Sequence, residues 1–223
     1  MPTRLVAIAV VTILTAASVA VCCAEPEVVS LKSGFDSDAA ILKDVYNLMG
    51  GAAWVTKTNW MSSKSHCSWF GVTCARSSLF GEERVVSLNL YNNNLTGSIA
   101  SSIGGLSELT DLCLDANNLS GSIPASLASL SKLSILFLSG NNLTGEFPQN
   151  FQGMTSLKVL VASNNNLSGG FPPFISKLTS IARLSLGNNH FNGTIPDDAF
   201  VSLKALDSIV LSGNNFQGPV PSR

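Results

Sequence analysis

The side chains able to do chemistry in this chain are few and scattered. There are two histidines, His66 and His190, and neither stands at motif spacing from a serine or cysteine nucleophile. No glycine loop of the phosphate-cradling kind occurs. Asp197 and Asp198 could be read as a carboxylate pair, but adjacent acids in a loop are ordinarily solvated. The chain has five cysteines, none in a CxxC, with no histidine cluster nearby to complete a zinc set. An enzyme, a cofactor and a metal are all unexpected. The specific chemical signal is a series of N-x-[ST] acceptors for N-linked sugar, at Asn94, Asn118, Asn142, Asn166 and Asn192.

Such acceptors matter only in an exported chain, and residues 1–24 read as a secretory signal. Arg4 precedes an apolar run from Leu5 to Val21, and small residues end at Ala24. Cleavage is expected after Ala24, with Ala20 the alternative site. An uncleaved membrane anchor is disfavoured, because Thr12, Thr15 and Ser18 interrupt a run shorter than the ~20 residues a spanning helix needs. No second hydrophobic stretch follows. The chain has 223 residues, a formal net charge of -1 and 12% charged residues, so neither nucleic acid nor an anionic membrane is an expected partner.

Four of the acceptors recur at one position of a longer pattern. Copies begin at Val85, Leu109, Leu133, Leu157, Ile181 and Leu206, a period of 24 residues with one insertion before the last. Periods of this length mean stacked supersecondary units. In residues 109–132, Leu112 and Leu114 alternate with Asp111, Cys113 and Asp115, the period-two pattern of a short strand buried on one face. Asn117 follows, in series with Asn93, Asn141, Asn165, Asn189 and Asn214, and its amide can pair backbone groups that a buried turn leaves open. Gly121 permits a backbone conformation closed to other residues. Ile123 and Pro124 then suit an irregular extended segment, and Leu127 and Leu130 bury the return arm. Ala100 in place of proline and Ala162 in place of leucine are the clear departures.

With these residues in register, the sequence resembles a leucine-rich repeat protein of the plant subclass, LxxLxLxxNxLxGxIP, over residues 85–223. Residues 25–84 resemble the amino-terminal cap of the same class. Ile41, Val45 and Leu48, with Leu42, Tyr46 and Met49, mark a helix over residues 38–49 that Asp36 or Ser37 can start and Gly50 can end. Asn59-Trp60 and the CxWxGVxC-like run from Cys67 to Cys74 follow. The resemblance implies an α/β repeat fold: a solenoid with one parallel strand per repeat behind a helical, disulfide-containing cap, the disulfide joining Cys67 and Cys74. Cys22 and Cys23 would leave with the signal, and Cys113 would remain unpaired.

The resemblance also implies extracellular recognition of a protein or peptide through the concave strand face, by a secreted protein or a receptor ectodomain. Inhibition of a secreted wall-degrading enzyme such as polygalacturonase is an alternative, and a structural cell-surface glycoprotein is another. On that face Ile135, Phe137, Val159 and Val161 are expected to form an exposed apolar patch, rimmed by Tyr91, Asp111 and Asp115 on one side and Arg183 on the other. Strand propensity alone also tolerates such residues on a concave face. Glycans at the shared repeat position would leave this face clear. Arg223 falls inside the sixth copy, so the last turn either serves as its own cap, continues in a longer chain, or supports a dimer. A dimer through Cys113 is a lesser expectation.

Overall fold

The computed structural model describes residues 37–76, 82–219 and 221. The signal segment at 1–24 lies outside the described residues, as do Cys22 and Cys23. Helix α1 spans Asp38–Leu48, and the Ser37 hydroxyl accepts from the Ala40 amide at its start. Gly50 closes it in the left-handed region at φ 71°. Ile41, Leu42, Val45 and Met49 are buried, but Leu48 is 56% exposed. The sequence pattern placed Leu48 on the buried face, yet only about three or four of every seven helical positions can meet a flat neighbour, and Leu48 sits past that arc.

Thirteen strands follow in the described residues: β1 Val72–Arg76, β2 Glu83–Asn89, β3 Thr96–Ser98, β4 Asp111–Cys113, β5 Asn118–Ser122, β6 Ile135–Phe137, β7 Asn142–Gly145, β8 Val159–Val161, β9 Asn166–Gly169, β10 Arg183–Ser185, β11 His190–Thr194, β12 Ser208–Val210 and β13 Asn215–Gln217. They form two sheets. One runs β1-β2-β4-β6-β8-β10-β12, and the other runs β13-β11-β9-β7-β5-β3. Every pairing within the repeats is parallel, and only β1 runs antiparallel, against β2. The second sheet is more regular than the irregular extended segment expected, and it begins earlier, at the NL[ST]G residues rather than at Ile-Pro. One inward apolar residue, such as Leu119 in β5 or Phe191 in β11, anchors the strand, while the polar residues on either side face water. Short 3₁₀ turns complete the return arms of the first four copies, as at Ala125–Ser129, where Leu127 is buried.

The asparagine series is the device that fastens one turn to the next. Asn117 donates from its amide to the carbonyls of Leu90, Leu114 and Asp115 at 2.9, 2.9 and 3.0 Å. Its carbonyl oxygen accepts from the amides of Asn93 and Leu95 at 2.9 and 3.0 Å. Asn141, Asn165 and Asn189 repeat the arrangement. Such buried groups would each cost about 1–3 kcal/mol if left unpaired. The residue before each rung lies in the left-handed region: Asn92, Ala116, Asn164 and Asn188 at φ 48°, 55°, 56° and 53°, with Gly140 and Gly213 at 64° and 72°. Asparagine and glycine tolerate that conformation, whereas Ala116 is held there against its preference.

Between the sheets the core changes character along the chain. In the first two turns it is aliphatic, led by Leu88, Leu95, Leu112 and Leu119. In the later turns phenylalanines replace the leucine or isoleucine of the pattern. Phe191 stacks between Phe147 and Phe216, with ring centroids 6.2 and 6.1 Å apart. Phe191 and Phe216 hold the same repeat position in consecutive copies, so the solenoid sets their rings one above the other, whereas Phe147 reaches the stack from the isoleucine position of an earlier copy.

Candidate functional site

The outer face of the seven-stranded sheet is built from the residues that alternate with the buried leucines. Pairing places them in rows. The first is Ser87, Asp111, Ile135, Val159, Arg183 and Ser208. The second is Asn89, Cys113, Phe137, Val161, Ser185 and Val210. The four apolar residues expected at the centre are therefore brought together, Ile135 beside Val159 and Phe137 beside Val161. They are half-buried rather than fully exposed, because side chains on strands about 4.8 Å apart cover one another's flanks. Tyr91, after the end of β2, is 57% exposed, and Arg183 is exposed. Ser185, an outward position by sequence, is buried and shares a 2.7 Å hydrogen bond with the Ser163 hydroxyl.

On the β4 side the face is acidic. Asp111 accepts from the Thr110 hydroxyl at 2.5 Å, and Asp115 accepts from the Ser139 amide at 2.5 Å. Burial raises the Asp115 pKa, while the Ser139 amide and the Cys113 thiol pull it back. The Cys113 thiol lies 3.7 Å from the Asp115 carboxylate. Burial foremost, with the neighbouring charge, lifts its pKa to about 11. At neutral pH Cys113 is thus a protonated thiol with little nucleophilic thiolate, which argues against a dimer bonded through it. Lys158, exposed just before β8, accepts at its carbonyl from the Arg183 amide at 3.0 Å, so a second basic residue adjoins Arg183 along the backbone. The alternating pattern passed over it because it precedes the first outward residue of its strand.

The other candidate chemistry resolves simply. Cys67 and Cys74 are bonded, with Cα atoms 5.5 Å apart. His66 lies close to both sulfurs, but sulfurs joined to each other are not thiolate ligands, so these residues do not fit a metal centre. Asp197 and Asp198 are exposed in a turn. Asn118, Asn142, Asn166 and Asn192 lie on the second sheet, away from the rows above, and Asn94 just precedes its first strand. All five are exposed.

Residues 83–143 and 107–167 match the family model described as leucine rich repeat. Over 49 residues the chain is 51% identical to the LRR receptor-like serine/threonine-protein kinase EFR of Arabidopsis thaliana; the match spans 22% of this chain and 4% of that one. Its structure also superposes on the ectodomain of the receptor kinase SOBIR1 from the same plant, with TM-score 0.69 and 32% identity, covering 82% of this chain and 96% of that one. The chain belongs to the leucine-rich repeat family. A further leucine-rich repeat structure, the ectodomain of the plant membrane receptor kinase GASSHO1/SCHENGEN3, was solved in complex with CASPARIAN STRIP INTEGRITY FACTOR 2. It aligns with TM-score 0.75 and 32% identity over 82% of this chain and 22% of that one. This leucine-rich repeat chain thus spans only a small part of the EFR kinase it matches. No helix among the described residues is long and apolar enough to cross a membrane.

Proposed function

We propose that this chain is an extracellular recognition module that binds a protein or peptide through the outer face of its seven-stranded sheet, as a secreted protein or as part of a receptor ectodomain. The observation that carries this reading is the apolar quartet Ile135, Phe137, Val159 and Val161, which adjoins on neighbouring strands and keeps exposed area. Apolar side chains clustered inside a polar rim are the usual anchors of an interface. The acceptor asparagines support the same assignment, since glycans there would cover the second sheet and leave the quartet open. The complex of the related GASSHO1/SCHENGEN3 ectodomain with its factor is consistent with it. Inhibition of a secreted wall-degrading enzyme would use the same face, and no residue described favours it over receptor-like binding.

The test is capture of partners from the native extracellular fluid by immobilised protein. Phe137→Ala and Val161→Asp should each reduce retention of a specific partner by about tenfold or more, the range of an interface anchor. Thr144→Ala, on the second sheet, should leave retention unchanged. Equal retention by all the variants would place the partner elsewhere.

A further inference from the structure

The first row of the face has an order that packing does not require. Across four neighbouring strands it reads Asp111, Ile135, Val159, Arg183: an acid, two branched apolar residues, a base. Three strand spacings of about 4.8 Å separate the charged ends by about 14 Å. That exceeds the screening length of about 8 Å in physiological salt, so the two do not hold the fold together by attraction. The ion pairs among the described residues join Arg84 to Asp38 and Lys132 to Glu108. Neither Asp111 nor Arg183 takes part in one, and the Arg183 guanidinium has no partner among the described residues.

Each end is reinforced by a neighbour of the same sign. Asp115 follows β4 in the same turn as Asp111, and its half-buried carboxylate is poorly solvated when ionised. Lys158 precedes β8, one strand from Arg183. Asp207, just before β12, lies one strand from Arg183 on the side away from the quartet, where its amide donates to the Ala182 carbonyl at 2.8 Å. The face therefore offers a negative end, an apolar middle and a positive end, in that order along the array.

We infer that this row selects an extended peptide segment lying across the strands, with a cationic and an anionic group about four residues apart and an apolar side chain between them. An extended chain advances about 3.3–3.6 Å per residue, so four residues span the 14 Å from Asp111 to Arg183. The cation sits at Asp111 and Asp115, where it restores the solvation that burial takes from the carboxylates. The anion sits at Arg183 and Lys158, and the apolar side chain rests on Val159 and Phe137. This inference rests on the reading of the same face as the binding surface.

Three labelled peptides of one composition test it by fluorescence anisotropy: GSKSFVDSG, its reversal GSDVFSKSG, and GSSFKDVSG with the charges adjacent. One of the two spaced-charge peptides should bind about tenfold tighter than the adjacent-charge peptide, at a discrimination typical of complementary charges. In the double variant Asp111→Lys with Arg183→Asp, the preference between the first two should invert. Melting curves of that variant matching those of the native protein establish that it is folded. Equal affinities for all three peptides, each weakened by Phe137→Ala, would overturn charge selection while leaving the face a binding surface. Binding of none would overturn the peptide assignment, and the capture experiment above would then judge the face independently.

Discussion

Leu88 in β2 and Ile209 in β12 occupy the same inward position at opposite ends of one sheet, yet Leu88 is fully buried and Ile209 is 39% exposed. At the amino-terminal end β1 pairs antiparallel with β2. Trp60 packs against both Trp54 and Trp69, with centroids 4.8 and 5.0 Å apart. Asp38, only 5% exposed, receives Arg84 at 2.9 Å and the Val85 amide at 2.7 Å. The first rung is closed too, since the Asn93 amide donates to the Thr56 carbonyl and its oxygen accepts from the Thr56 amide at 2.8 and 2.6 Å. At the other end β12 and β13 are sheet edges among the described residues, and Ile209, Leu211 and Phe216 line an open cleft. The same residue types are thus core at one end and surface at the other. In a stacked array the neighbour decides burial, because each turn is covered only by the turns beside it.

The largest effect that tests this contrast is at the capped end. Replacing Cys67 and Cys74 by serine should cost about 2–5 kcal/mol. Hydrogen exchange should show the loss concentrated in α1 and β1, and uniform loss would mean that the cap and the repeats unfold as one. Next come the rungs. Asn141→Ala strands buried carbonyls and the Leu119 amide and should cost about 2–3 kcal/mol, against about 1 for Asn214→Ala, whose partners water can reach. Equal losses in denaturant melts would remove the difference between interior and edge.

Ala116→Gly should raise stability by about 1 kcal/mol, since it relieves the left-handed backbone between two rungs. Asp115→Asn probes the face itself. Because burial raises the Asp115 pKa in the folded chain, the stability it contributes is fully present below the ordinary carboxylate pKa and is lost as pH rises through the folded value. The variant should therefore melt higher than the native protein at pH 7, and the advantage should vanish in acid. A constant advantage at every pH would assign it to packing instead. The smallest effect belongs to the open end, where Ile209→Thr should change stability by less than about 0.5 kcal/mol.

The strand register, the inward leucines and the Asn117 series were legible because a period of 24 residues states each requirement six times over. The apolar quartet was legible for the same reason, as Ile135 and Val159 are one period apart. Three features were not. The exposure of Leu48 depends on the width of the surface that α1 meets. The second sheet is invisible to alternation, since in Asn118–Ser122 serines and a glycine surround a single leucine. The phenylalanine stack reads as scattered substitutions until Phe147, Phe191 and Phe216 are placed over one another.

What the sequence determined by itself is everything that repeats. Periodic leucines fix the strands, periodic asparagines fix the joints, and the Cys67 to Cys74 run marks the cap, because each is a local pattern written in residue types. Only the tertiary structure decided the quantities that depend on who lies alongside: that Ile135, Phe137, Val159 and Val161 are half-covered, that Cys113 stays a protonated thiol beside Asp115, and that Arg183 has no ion-pair partner among the described residues. Burial and electrostatic environment are set by neighbours a full turn away in sequence, and no local pattern contains them.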